Sequence, residues 1–141
     1  MKGLVPSEVS TTSDYTVRDQ QRMSRAVNYF AWQAKLAMAP LGQRVVEVGC
    51  GIGNFTRMIA GRERVIGLDI EPACIAEHRN RFASQPNVTA MVMDALAPEF
   101  LSLRQERPDS VVCLNVLEHI EDDLGTLRAF AGILPVGGRA V

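Results

Sequence analysis

The sequence predicts an α/β fold: a doubly wound, mostly parallel sheet with helices on both faces. Three observations carry this. Apolar runs recur at 44–48, 65–68, 88–92 and 110–115. Each run is close to continuous rather than alternating, as in strands buried on both faces. Between the runs lie stretches of helical spacing punctuated by Pro or Gly. Right-handed crossovers then divide the helices between the two faces.

In chain order, residues 1–18 are rich in Ser and Thr and are expected to form a flexible N-terminal arm, leaving 19–141 as the folded domain. A helix is predicted over 19–39, where Ala26, Tyr29, Phe30, Gln33, Ala34 and Ala37 recur near the helical period before Pro40. Trp32 falls off that stripe and faces a neighbouring element or a ligand. The first strand, 44–48, runs into Gly49-Cys50-Gly51-Ile52-Gly53, and a helical pattern through Phe55, Met58, Ile59 and Ala60 follows. The second strand, 65–68, ends at Asp69. Pro72 opens a helix over 72–84, as proline suits a first turn. The third strand ends near Asp94, a short helix is expected within 96–106, and the fourth strand is followed by Glu118. A helix over 119–134 stops at Pro135. Gly137-Gly138 lead into a fifth strand, where the chain stops at Val141.

Composition narrows the function. The net charge is −1 with basic residues scattered along the chain, so nucleic acid and anionic membranes are not expected partners. The three cysteines are odd in number and form no Cys-x-x-Cys pair, and only two histidines are present. A disulfide framework or a metal site is therefore not expected, and a cytoplasmic location fits. The N-terminus lacks the apolar core of a signal peptide. No apolar run approaches the ~18 residues of a membrane span.

Ligands of doubly wound sheets sit outside the carboxyl ends of the strands. Those ends carry Glu47 with the glycine-rich turn, Asp69, Asp94 and the stretch from Asn115 to Glu118. The turn is spaced Gly49-x-Gly51-x-Gly53, and the third glycine position of a dinucleotide fingerprint holds Asn54. A carboxylate at Glu47 would repel a pyrophosphate and suit a cationic adenosyl ligand. At a few ångströms that term is worth roughly 1–4 kcal/mol. Asp69 can accept both ribose hydroxyls, or can cap the next helix. His119 is the candidate base by type, although Glu118 and His119 also suit a helix start. Tyr29 and Trp32 read equally as core or as a ligand lid. Cys50 and Cys113 read as small buried fillers. His78, on a helix of surface type, is given no role.

Val45-Val46-Glu47-Val48-Gly49-Cys50-Gly51-Ile52-Gly53-Asn54-Phe55-Thr56 resembles motif I of the class I S-adenosylmethionine-dependent methyltransferases. Val65-Ile66-Gly67-Leu68-Asp69-Ile70 resembles the acidic second-strand motif of that family, and Met93-Asp94-Ala95 its adenine-binding turn. Asn115-Val116-Leu117-Glu118-His119-Ile120 is similar to the fourth-strand signature of the branch containing ubiquinone-biosynthesis and related small-molecule methyltransferases. Leu134-Pro135-Val136-Gly137-Gly138-Arg139 is similar to the turn into strand five. The resemblance implies a Rossmann-like fold and S-adenosylmethionine as cofactor. It implies that Glu47, Gly49, Cys50 and Gly51 line the methionine part, Asp69 holds the ribose, and Ile70 packs on adenine. Asp94 and Ala95 would face the adenine edge, the Asn115 carbonyl the ammonium, and the helix with Tyr29 and Trp32 would close over the ligand.

The activity expected is in-line methyl transfer to a small-molecule acceptor, with His119 the candidate catalytic residue. A non-catalytic S-adenosylmethionine-binding module and an NAD-dependent oxidoreductase remain open at this point. The family fold has seven strands, so the chain is expected to be truncated after the start of strand five. The open sheet edge is then a candidate homo-oligomer contact.

Overall fold

The computed structural model describes residues 12–141, with side chains described from residue 16. Among the described residues, β1 (Arg44–Val48), β2 (Arg64–Asp69), β3 (Val88–Val92), β4 (Ser110–Val112) and β5 (Arg139–Ala140) form one sheet in the order β3-β2-β1-β4-β5. Every neighbouring pair is parallel. The helices α1 (Thr12–Met23), α2 (Val27–Ala37), α3 (Thr56–Ile59), α4 (Pro72–Arg81) and α5 (Asp123–Ile133) complete the doubly wound layers.

Strand residues alternate between the two faces, and two cores result. Val45, Val65, Val88 and Val112 pack with Ala34 and Ala37 of α2, Ile59 of α3 and Phe82 at the end of α4. Val46, Val48, Ile66, Leu68 and Val111 pack on the opposite face with Phe100, Leu103, Phe130 and Ile133. Glu47 follows the alternation of Val45, so its side chain belongs to the α2–α3–α4 face. Its register partner across the ladder is Gly67.

Local chemistry sets the boundaries. α4 begins at Pro72, with the Glu71 side chain accepting from the Ala73 N–H. Asp122 caps α5 by accepting from the Gly125 N–H at 2.8 Å. Asp109 ties the starts of two neighbouring strands together, accepting from the N–H groups of Gln43 at 2.9 Å and Arg44 at 3.1 Å.

Three expectations are corrected. Residues 12–18, placed in the N-terminal arm, belong to α1, while residues 1–11 lie outside the described residues. The single helix over 19–39 is interrupted between Met23 and Val27. There the N–H groups of Arg25 and Ala26 reach back only three residues, and the Ser24 hydroxyl donates to the Gln21 carbonyl, a local bond that competes with the helix. The fourth strand ends at Val112, and the following helix starts at Asp123 rather than 119. Between them Asn115 adopts φ +58 and Leu117–His119 forms a separate 3-10 turn.

Phe100 is fully buried, with its ring centroid 6.0 Å from that of Phe130. Phe100→Ala is expected to cost about 3–5 kcal/mol in denaturant unfolding. A loss below about 1 kcal/mol would contradict this packing.

Candidate functional site

The glycine turn leaves β1 and crosses the carboxyl end of β2. All five N–H groups from Gly49 to Gly53 have protein acceptors. Gly49 and Cys50 donate to the Leu68 carbonyl at 2.8 and 2.9 Å, and Gly53 donates to the Cys50 carbonyl at 2.9 Å. Gly51 donates to Asp69 Oδ2 at 2.8 Å. Ile52 donates to Gln20 Oε1 at 2.9 Å, so a residue of α1 closes the turn from above. The Gln20 carbonyl also accepts from Asn54 Nδ2 at 2.9 Å. A phosphate-binding turn presents free N–H groups to its ligand. This turn holds out none of the five.

Asp69 is anchored at both oxygens, since Oδ1 accepts from the Glu71 N–H at 2.9 Å. It does not cap α4 itself, a role Glu71 fills, but it holds the N–H of that N-cap residue. Each carboxylate oxygen accepts more than one hydrogen bond, so the ligand-facing side retains capacity.

The crevice over the strand ends has two lobes that share Gly49, Asp69 and Val116. The larger lobe, about 670 Å³, is bounded by Ile70, Asp94, Ala95 and His119. Asp94 Oδ1 is held by the Leu96 N–H at 2.8 Å, and Ile70 presents an exposed apolar side chain. The smaller lobe, about 420 Å³, is bounded by Tyr29, Glu47, Cys50 and Asn115. Two residues assigned to the site do not line it. Gly51 lies under Gln20, which a Cβ there would strike. Trp32 is 58% exposed, beside Tyr29 on α2 and away from both lobes. Tyr29 and Phe30 are the aromatic residues of α2 that line the smaller lobe, the Tyr29 hydroxyl accepting from Gln33 Nε2 at 3.0 Å.

Glu47 is 4% exposed. Its Oε2 accepts from the Thr56 hydroxyl at 2.5 Å, and Thr56 Oγ1 lies 3.0 Å from His78 Nε2. His78, read from sequence as a surface residue without a role, is 1% exposed. Two glycines make room for it. A Cβ at Gly67 would come within 3.1 Å of His78 Nε2 and 2.8 Å of Cys50 Sγ. A Cβ at Gly53, where φ is +90, would meet Phe82 at 2.4 Å and His78 at 3.1 Å. Gln20, Thr56 and His78 are the site residues that sequence reasoning missed. The spacing of Cys74, Ile75 and His78 on one helical face was the available signal for the histidine.

Burial dominates the electrostatics. It pushes the Glu47 carboxyl up to about 8, against the opposing pull of the Thr56 hydroxyl and with a further push from Asp69. Burial also holds His78 down at about 4, helped by Arg81 and Arg79. The Cys50 thiol is pushed up by burial and then by Glu47 and Asp69. Among the described residues no cluster of His, Cys, Asp or Glu has the makings of a metal site, and no helix is long and apolar enough to cross a membrane.

A methyltransferase-domain family model matches residues 46–140. The chain is 33% identical over 101 residues to the ubiquinone biosynthesis O-methyltransferase of Aeromonas salmonicida, covering 70% of this chain and 41% of that protein. The Pseudomonas putida enzyme of the same name is 32% identical over 117 residues, covering 80% and 47%. The chain thus spans less than half of either relative. Among solved structures, a TehB-like SAM-dependent methyltransferase from Corynebacterium glutamicum superposes with a TM-score of 0.67 at 23% identity, covering 91% of this chain and 70% of that one. The magnesium protoporphyrin IX methyltransferase of Synechocystis, with bound SAH, gives 0.56 at 22% identity, covering 95% and 58%. These two likenesses show the fold.

The shifted groups predict how stability follows pH. Glu47 rises from 4.5 in the unfolded chain to about 8 in the fold, so the unfolded state releases its proton first and stability falls between those values. His78 drops from 6.5 to about 4, so its contribution rises with pH up to 6.5 and is then constant. The two oppose each other below pH 6.5. From 6.5 to 8 Glu47 acts alone, and a fall of about 2 kcal/mol is expected. Denaturant unfolding across that range should show it, and Glu47→Gln should abolish it. An identical fall in Glu47→Gln would contradict the assignment.

Proposed function

The chain belongs to the methyltransferase-domain family, and we propose that it binds S-adenosylmethionine in the two-lobed crevice and transfers the methyl group to a small-molecule acceptor. One observation carries the reading: the glycine turn offers no free N–H to an anion and is faced instead by the buried acid Glu47. S-adenosylmethionine carries a sulfonium, an ammonium and one carboxylate, for a net charge of +1. A dinucleotide brings a pyrophosphate, which meets no free N–H in this turn.

The lobes divide such a ligand. Asp69, at their junction, suits the ribose hydroxyls. Ile70, Asp94 and Ala95 suit adenine in the larger lobe. Glu47, Gly49, Cys50 and the Asn115 carbonyl suit the methionine end in the smaller one. The left-handed backbone at Asn115 brings that residue to the lobe. When bound, the sulfonium supplies a methyl group already activated for displacement. The chain's share is then placement: holding acceptor, methyl carbon and sulfur in line supplies most of the acceleration.

The relatives are named as O-methyltransferases of ubiquinone biosynthesis, which favours an acceptor hydroxyl. Such a hydroxyl must lose its proton as the new bond forms. His119, on the wall of the larger lobe, is the residue proposed to take it. The net charge of −1 favours a small molecule over nucleic acid. The free cysteines suit a reducing cytoplasm. Pairing of two copies along a sheet edge belongs to the same set of proposals, and sedimentation reads it.

Calorimetric titration with S-adenosylmethionine tests the site. Glu47→Ala and Asp69→Ala are each expected to weaken binding by at least ~1 kcal/mol, the scale of a lost hydrogen bond to a charged group. Unchanged affinity in both variants would remove the assignments.

A further inference from the structure

Glu47 is buried at the ligand crevice without a counter-charge. Among the described residues no Lys, Arg or His forms an ion pair with it. The groups facing it can be named element by element. Asp69 at the end of β2 and Cys50 in the turn are acidic in character, and Tyr29 of α2 is a phenol. α3 contributes the Thr56 hydroxyl, with His78 of α4 behind it, and β4 places Val112 in register with Glu47. From α1, the uncharged Gln20 reaches the same lobe. Arg79 and Arg81 act on His78 from its own helix. A carboxylate so placed is costly until a cation joins it.

The direction of the hydrogen-bond chain follows from His78. Its Nδ1 is buried and has no hydrogen-bond partner. An orphaned acceptor lone pair costs less than an orphaned N–H. With the proton on Nε2, that nitrogen donates to Thr56 Oγ1, and the Thr56 hydroxyl is left to donate to Glu47. Both bonds point toward the carboxyl and favour its anionic form. Gly53 and Gly67 are the residues that let the imidazole in.

We propose that His78 is a positioning residue which acts through Thr56 on Glu47, so that binding of a ligand's ammonium group expels one proton from the Glu47 carboxyl. The inference rests on the S-adenosylmethionine reading of the crevice. In the step itself the Glu47 O–H bond breaks, its proton passes to water, and the carboxylate pairs with the ammonium, which keeps its own protons. The chain from His78 sets how readily that proton leaves. The site thus holds a neutral acid when empty and an ion pair when filled, which explains how an acid can lie so deep.

The test uses the chain as it stands, with S-adenosylhomocysteine as the probe, because its ammonium is present and no methyl can be lost. Calorimetry at each pH in two buffers of different ionisation enthalpy counts the protons released. The wild type is expected to release close to one proton per ligand near pH 6.5, declining through a midpoint close to 8. Its affinity should rise about tenfold per pH unit below that midpoint. Glu47→Gln, which has no proton to lose, supplies the baseline. His78→Leu is expected to move the midpoint upward and weaken binding at pH 7 about five- to tenfold. Thr56→Val should move it further in the same direction. His78→Gln, which keeps an N–H directed at Thr56, should restore most of the wild-type profile.

Binding with no proton release above the Glu47→Gln baseline would overturn the inference and leave the S-adenosylmethionine reading intact. A His78→Leu protein that loses affinity equally at every pH, with an unmoved midpoint, would make the histidine a packing residue only and also overturn it. Absence of binding at every pH would overturn both.

Discussion

The structure turns on one buried carboxyl. Glu47 sits in the second-to-last position of the central strand, where side-chain alternation directs it into the face covered by α2, α3 and α4. A titratable residue in that position is tolerated because burial keeps it protonated and because of what surrounds it. Thr56 meets it directly, and His78 supports Thr56. Gly67, its partner in register, keeps the neighbouring strand clear of Cys50 and His78. Replacing either support would leave an uncompensated polar group in the core, which costs more than the bond itself contributes. The features of the site, from the glycine at 53 to the helix that carries the histidine, accommodate this group.

The second constraint is the accounting of the turn's N–H groups. A glycine-rich turn after the first strand of a parallel sheet is shared by families with opposite ligand charge, so its shape alone decides nothing. Here the donors of the turn are satisfied by the Leu68 carbonyl of the neighbouring strand, by Asp69, by Gln20 of α1 and, for Gly53, by the turn's own Cys50 carbonyl. Asp69 has a double duty. It fixes the turn and the start of the next helix while facing the junction of the two lobes. Gln20 makes α1 part of the site, because the segment N-terminal to the sheet supplies an acceptor that the turn would otherwise seek from a ligand.

Local signals carried most of the fold. β1 and β3 run over the residues their apolar stretches indicate, and Pro72 starts α4 as its ring geometry requires. Glu47, Asp69 and Asp94 were legible because strand ends in a parallel sheet converge whatever the details. The losses are long-range. Gln20 and Ile52 are 32 positions apart, and nothing in the polar composition of α1 announces that its glutamine closes a turn. α4 is so polar, with only Cys74, Ile75 and His78 turned inward, that its histidine reads as solvated. Trp32 falls off the apolar stripe and the family resemblance places it over the ligand, but it is exposed beside Tyr29 on α2. β4 ends at Val112, and the left-handed backbone at Asn115 follows three residues on, inside what the sequence reads as one strand.

The central claim is that the crevice selects charge: an acid faces the ligand while the turn withholds its donors. Parallel calorimetric titrations with S-adenosylmethionine and NAD, at equal salt and pH, address it most directly. The account predicts saturable binding of the methyl donor and none of the dinucleotide. Tight NAD binding in the absence of any response to S-adenosylmethionine would contradict it.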